Sequence, residues 1–293
     1  MKARGSNVCR MDVMDRVAHP WNTAFVWDEH AGDCSTITPE QAAQFDELGY
    51  FVIEDVFDAA TLAALDGELS RGDQRAQRFL ADVPEGRFGV AGLDTQVIAP
   101  HAVTRSRAAR DLAAHPTIAG IALDLVGPDV RMYWDQSVYK QPKSVEPVLW
   151  HQDNGYTYVE PQAYLTCWIA LTDATPANGC VAVMPGVHRE GTLAHRTTPI
   201  GEECWGDWPT SVEVPVRAGS VVVFSSLTPH ATKRNTTDDV RKAYILQYIP
   251  DGAVICRGNP AKGPVKRTEV IGDDARCFPI VRNGERVDPP PLP

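Results

Sequence analysis

The segment Ser220-Val221-Val222-Val223-Phe224-Ser225-Ser226-Leu227-Thr228-Pro229-His230 begins as an unbroken β-branched and aromatic run and ends, past a polar turn, on a histidine. A short apolar run bounded by turn residues reads as a buried strand. Its surroundings repeat the pattern. Lys242 to Ile249, opened by Arg241, is a second strand-like run, and Val212 to Val216 precedes the segment across Ala218-Gly219. Further upstream, Arg131 to Tyr139, Tyr164 to Leu171 and Cys180 to Met184 are equally short and rich in β-branched or aromatic residues, with Asn178-Gly179 and Pro185-Gly186 as turn pairs nearby. Glycine supplies the left-handed backbone and proline the fixed φ that such turns use, so these pairs mark chain reversals.

Toward the N-terminus the period lengthens to that of a helix. Thr38 suits an N-cap, Pro39 the first helical position and Gln41 the third residue of a reciprocal capping box. Phe45 and Leu48 then share a face, and Gly49 ends the helix. Tyr50 to Ile53 is a short strand run, Asp58 caps a second helix carrying Leu62, Leu65 and Leu69, and a third helix is expected over Ser106 to Leu125. Helices followed by about six to eight short strands predict a mainly β fold with flanking helices, the helices forming a layer on an antiparallel sandwich or barrel. Residues 1–37 lack periodicity and are expected to form an irregular N-terminal arm, residues 38–256 the main domain, and residues 257–293 a C-terminal extension packed on the same domain. Arg257 to Arg267, basic and interleaved with Gly and Pro, reads as a solvated loop.

A chain of 293 residues with 43% hydrophobic and 23% charged residues is long enough to bury one large core. Its formal net charge of −10 argues against nucleic acid or an anionic membrane as partner, since both select basic patches, and a small-molecule substrate is expected instead. No apolar run approaches the ~18 residues of a membrane span, and Met1 to Met14 shows no secretory pattern. Seven scattered cysteines without a CxxC pair fit free thiols in a reducing, cytoplasmic setting.

The chemistry concentrates in two places. In Trp150-His151-Gln152-Asp153 the histidine and aspartate are two apart, so on an extended backbone both side chains leave the same face and can share one ion. Alone the pair is a weak signal, and His188-Arg189-Glu190 has the same spacing, although Pro185-Gly186 before it points to a tight turn. The second place is His230, with Arg241 at the head of the next strand run; the two are expected on neighbouring antiparallel strands, aimed into one cavity. Two histidines and one carboxylate on one face of an octahedron leave three positions open, the ligand set of non-haem iron(II) oxygenases. A 2-oxo acid fills two of these as a chelate, and O2 takes the third. The far carboxylate of 2-oxoglutarate needs a planar, two-pronged cation, which Arg241 supplies better than any lysine. A plain surface role would instead pair Arg241 with Asp238 or Asp239.

The order His151-Gln152-Asp153, Trp168, Asn178-Gly179-Cys180, Pro185-Gly186-Val187-His188, His230 with Thr232, then Arg241 resembles the phytanoyl-CoA dioxygenase family of iron(II)/2-oxoglutarate oxygenases. Gln44-Phe45-Asp46-Glu47-Leu48-Gly49-Tyr50-Phe51-Val52-Ile53 is similar to that family's opening helix and strand, so the resemblance covers about residues 40–250. It implies a double-stranded β-helix, the jelly-roll or cupin-like core, with His151, Asp153 and His230 as catalytic iron ligands. It also implies Arg241, Thr232 and Trp168 as contacts of 2-oxoglutarate, with Gln136 and Tyr139, on the strand before the metal loop, as additional ones. Trp168 suits a plain core role equally well. The implied reaction is hydroxylation of an unactivated C–H bond with release of succinate and CO2. Asp153 argues against the halogenating variation, which needs a vacant site for chloride. Acyl-CoA, a free amino acid and a secondary-metabolite scaffold are all open as substrate. Trp205 and Trp208, in a Gly-rich connection, either cover the substrate or simply pack. The competing readings are a divalent-metal hydrolase on the same His/Asp/His site and a non-catalytic binding protein on the same barrel.

Overall fold

Thr38 caps the first helix, α1 (Pro39–Leu48), by the reciprocal arrangement expected: its hydroxyl accepts from the Gln41 N–H at 3.2 Å, and Gln41 Oε1 accepts from the Thr38 N–H at 2.9 Å. The computed structural model describes residues 16–30, 32, 34–204, 210–258, 265–270, 273 and 275–293; Cys9, Trp205 and Trp208 lie outside the described residues. Asp58 caps α2 (Ala59–Asp82) and buries Leu62, Leu65 and Leu69 on one face. The single helix expected over Ser106 to Leu125 is two, α3 (Arg107–Ala113) and α4 (Pro116–Val126). Pro116 has no N–H to continue the ladder and pushes His115 out of the helical region, so the chain breaks there. Among the described residues no helix is long and apolar enough to cross a membrane.

The strands of the barrel are β1 (Tyr50–Ile53), β2 (Gln96–Pro100), β3 (Val130–Lys140), β4 (Val148–His151), β5 (Leu165–Ala170), β6 (Val181–Val183), β7 (Val212–Val214), β8 (Val221–Ser225), β9 (His230–Thr232) and β10 (Arg241–Pro250). One antiparallel sheet runs β1-β8-β5-β10-β3-β2, and the sheet facing it runs β7-β6-β9-β4. Strands β2 and β4 had no clear mark in the sequence: they are short, and Pro100 and Pro147 interrupt their apolar pattern. At the entry to β8, Gly219 has φ +89°, and a Cβ there would lie 2.2 Å from the Phe57 carbonyl oxygen, so only glycine fits this close turn.

Successive side chains along a strand leave opposite faces. Cys167, Ile169, Val221, Val223, Leu246 and Tyr248 therefore pack outward against Leu62, Leu65, Ile118 and Ile121 of the helices. Trp168, Ala170, Val222, Phe224 and Ala243 face inward and meet Val181, Val183 and Val214 of the smaller sheet. The result is a double-stranded β-helix with its helices on one face. The C-terminal segment is part of this body, since Pro279–Arg282 pairs with β3 and Phe278, Ile280 and Val281 join the helix-side core. The fully buried Arg110 of α3 holds the last residues, donating to Ala275 O at 2.6 Å and to Pro290 O and Pro291 O at 2.8 Å. The basic segment read as a loop instead begins and ends in strands, Val254–Arg257 paired with Lys266–Glu269.

Candidate metal centre

Strand β4 ends on His151, Gln152 continues extended, and Asp153 opens a single helical turn, so the two potential ligands leave the same side of the chain. The Gln152 side chain holds this loop from within. Its Nε2 donates to Gly191 O at 3.0 Å and Leu227 O at 2.6 Å, and its Oε1 accepts from the Leu193 N–H at 2.6 Å. On the next strand of the small sheet, His230 is the direct cross-strand partner of His151. Their ring centroids lie 4.2 Å apart, and one ligand atom from each of His151, Asp153 and His230 falls within 4.8 Å of the others.

Both imidazoles are oriented by backbone. The Nδ1–H of His151 donates to Leu149 O at 2.7 Å and that of His230 to Thr228 O at 3.0 Å, which leaves both Nε2 lone pairs for a metal. Burial, with His230 beside it, holds His151 well below the usual imidazole range, so its ring is neutral. The Thr166 hydroxyl donates to Asp153 Oδ2 at 2.6 Å, and Asp153 Oδ1 faces His230 Nε2 at 3.8 Å. Thr166 thus leaves Oδ1 as the carboxylate oxygen turned toward the histidines. Thr166→Val, which keeps the shape and removes the donor, is expected to weaken iron(II) binding by roughly 10–100-fold with the fold intact, as isothermal titration with iron(II) would measure.

Arg241 does not sit on a strand beside His230, as expected from their closeness in sequence. The connection after Thr232 crosses to the other sheet, so Arg241 starts β10 and faces the metal ligands across the barrel interior. It is 1% exposed, makes no surface pair with Asp238 or Asp239, and lies 5.2 Å over the Trp168 ring. Among the described residues its Nε and Nη1 have no hydrogen-bond partner, nor does the buried Thr232 hydroxyl. Buried donors are ordinarily paired, so this cluster is shaped for an absent acceptor. Burial pushes Arg241 down to about 10, still protonated at neutral pH. Gln136 lies on the same inner face, two rows from Arg241, in line with Ile245 and Trp168.

Tyr139 is a correction. It stands three residues from Gln136 and so points to the other face, where its hydroxyl donates to Asp66 of α2 at 2.5 Å and its ring packs with the helix-side core. The strand period already contained this answer. His188 is fully buried against Trp27 in a tight turn, with Nε2 3.2 Å from Asp46 O, while Glu190 is exposed and pairs with Arg16 at 2.6 Å; the two do not form a site. Thr166 and Lys140 went unnoticed in the sequence. Thr166 is two residues before Trp168 and shares its face, a signal that was available. Lys140, opposite Arg241, is buried with Nζ donating to Thr232 O at 3.3 Å and Lys233 O at 2.5 Å, and burial beside Arg241 pushes it down to about 6.

Residues 45–243 match the family model described as phytanoyl-CoA dioxygenase. A phytanoyl-CoA dioxygenase of Arabidopsis thaliana is 32% identical over 130 residues, 42% of this chain and 46% of the relative, so the match spans a little under half of that relative's length. Among solved structures, the non-haem α-ketoglutarate-dependent carbocyclase SnoK from nogalamycin biosynthesis is 30% identical, with a TM-score of 0.62 over 76% of this chain and 89% of that one. The epimerase SnoN, solved with Fe3+, α-ketoglutarate and nogalamycin RO, is 27% identical, with a TM-score of 0.60 over 80% of this chain and 95% of that one.

Proposed function

The chain belongs to the phytanoyl-CoA dioxygenase family, and from that premise we propose that it is an iron(II)- and 2-oxoglutarate-dependent dioxygenase hydroxylating an unactivated C–H bond of a small organic substrate of secondary metabolism. The observation that carries this reading is the buried Arg241 guanidinium, with Nε and Nη1 unpaired among the described residues, on the sheet opposite the one that carries His151 and His230 of the His151, Asp153 and His230 cluster. Two imidazoles and a carboxylate fit iron(II) and leave positions for a chelating 2-oxo acid. The names of SnoK and SnoN support the secondary-metabolite part of it.

In this reading His151 Nε2, Asp153 and His230 Nε2 hold the ion, and Thr166 keeps the carboxylate turned toward it. When bound, iron(II) supplies O2 activation coupled to oxidative decarboxylation of 2-oxoglutarate to succinate and CO2. Arg241 binds the far carboxylate through one edge of its guanidinium, Thr232 adds a hydroxyl and Trp168 braces the guanidinium from one side. Val222, Phe224 and Val183 keep bulk water from this end of the barrel. The cytoplasmic setting is part of the same reading and rests on the scattered cysteines, none of which forms a disulfide among the described residues.

A zinc hydrolase would use the same three ligands but give no role to Arg241 or Thr232. Anaerobic addition of iron(II) and 2-oxoglutarate together is expected to raise a weak visible charge-transfer band that neither produces alone. Tight stoichiometric zinc binding with no such band would favour the hydrolase.

A further inference from the structure

Part of the inner face lies level with the metal ligands and is not used by the co-substrate. Pairing with β5 sets Gln247 opposite Thr166, pairing with β3 sets it opposite Trp134, and β8 brings Phe224 to the far side of Thr166. Thr166 touches Asp153 and the Phe224 ring lies 4.6 Å from that of His230, so this row crosses the sheet at the height of the ligands. The next inward-facing row holds Gln136, Ile245 and Trp168, the one after it Val138, Ala243 and Ala170, and the deepest holds Lys140 and Arg241. The co-substrate's far carboxylate belongs at that deep end, which leaves the Trp134–Gln247 end of the metal row for the molecule to be oxidised.

Three details mark this end as built for a ligand. The long pairing of β10 with β3 breaks register once, between Gln247 and Tyr248, where the partner passes from Trp134 to Met132 and Tyr133 is left over. Such a bulge bends the strand and re-aims its side chains, which is why bulges gather beside active sites. The Gln247 side chain, on a residue only 8% exposed, makes no hydrogen bond among the described residues, and its amide is not sealed off by protein, so both its donor and its acceptor are open to a ligand. Trp134 is held in place beside it, its Nε1–H donating to Gln136 Oε1 at 3.0 Å and its ring 4.4 Å from that of His101, edge to face. Burial, with Arg276 and Arg105 nearby, keeps His101 below the usual imidazole range, so this neighbour is neutral too.

We propose, resting on the oxygenase reading above, that Gln247 and Trp134 are the substrate-recognition pair, the amide binding a neutral hydroxyl or carbonyl oxygen on a flat, fused-ring substrate that lies against the indole. The row offers a ring, an amide, a hydroxyl and a phenyl group, and none of them is charged. An acyl-CoA phosphate or an amino-acid ammonium placed against Gln247 and Trp134 would meet no counter-charge within the row itself, since Arg276 and Arg105 stand beside His101 and Asp153 belongs to the ligand cluster. Uncharged oxygenated rings meet no such penalty, and the amide can both donate to and accept from the same substituent.

The test uses the full chain loaded anaerobically with iron(II) and 2-oxoglutarate, with the charge-transfer band reporting loading in every variant. α-Naphthol, naphthalene and naphthalenesulfonate are the probes, and their Kd values are read by equilibrium dialysis. The wild type is expected to bind α-naphthol about tenfold more tightly than naphthalene and to bind the sulfonate least. Gln247→Leu and the length-matched Gln247→Met should each erase the preference for α-naphthol, while Trp134→Ala should weaken both neutral probes together. A loaded protein in which the preference survives both Gln247 substitutions, or in which the sulfonate binds most tightly, overturns the proposal alone. A wild type that gives no band overturns the oxygenase reading and this proposal with it.

Discussion

Asp153→Ala is expected to abolish substrate-coupled turnover and to weaken iron(II) binding strongly, whereas Glu190→Ala leaves both within a small factor of wild type. Asp153 supplies the one carboxylate of the three-residue cluster, and two imidazoles alone hold a divalent ion less firmly. Removing the carboxylate also strands the Thr166 hydroxyl that now donates to it. Glu190 has the same spacing from a histidine, but its carboxylate pairs with Arg16 on the surface, an interaction worth ~0–1 kcal/mol. Iron(II) titration and oxygen consumption, measured on both variants after circular dichroism has shown them folded, check the pair. Loss of iron binding in Glu190→Ala together with its retention in Asp153→Ala would mean that the centre lies elsewhere.

Arg241→Ala should raise the 2-oxoglutarate requirement steeply with iron(II) binding nearly unchanged. The guanidinium is fully buried, so its contact with a carboxylate is desolvated, and truncating one side of such a pair costs about 2–5 kcal/mol, which corresponds to at least roughly thirtyfold in affinity. Arg241 is on the opposite sheet from His151 and His230, which is why the metal should not feel its loss. Arg241→Lys is expected to be impaired as well, because a single ammonium does not reproduce the two-pronged geometry or the stacking over Trp168. Titrating 2-oxoglutarate against the charge-transfer band of each variant reads this directly. An unchanged requirement in Arg241→Ala would show that another group, such as the buried Lys140 opposite it, anchors the co-substrate.

Much of this protein is legible one segment at a time. Thr38 and Gln41 form the capping box because the groups that bond are three residues apart, and the runs at Val221–Ser225 and Arg241–Pro250 are strands because their own side chains favour a pleated, buried surface. His151 and Asp153 share a face because alternate residues of an extended chain do, and the same rule, applied to Gln136 and Tyr139, would have sent Tyr139 outward. These are local facts, decided by bonds and sterics within a few residues, and a sequence carries them in full.

Tertiary structure decided the rest. Whether Arg241 stands beside His230 or across the barrel from it depends on which sheet the chain enters after Thr232, and that follows from long-range pairing with β3 and β5. The same pairing puts Lys140 opposite Arg241, Thr166 within reach of Asp153, and Gln247 in line with Trp134. None of these pairs is close in sequence. The site's meaning lies in groups that burial leaves unpaired, the Arg241 donors and the Thr232 hydroxyl. Whether a polar atom is satisfied depends on every neighbour the fold brings to it, a property of the packed interior that no single stretch of chain contains.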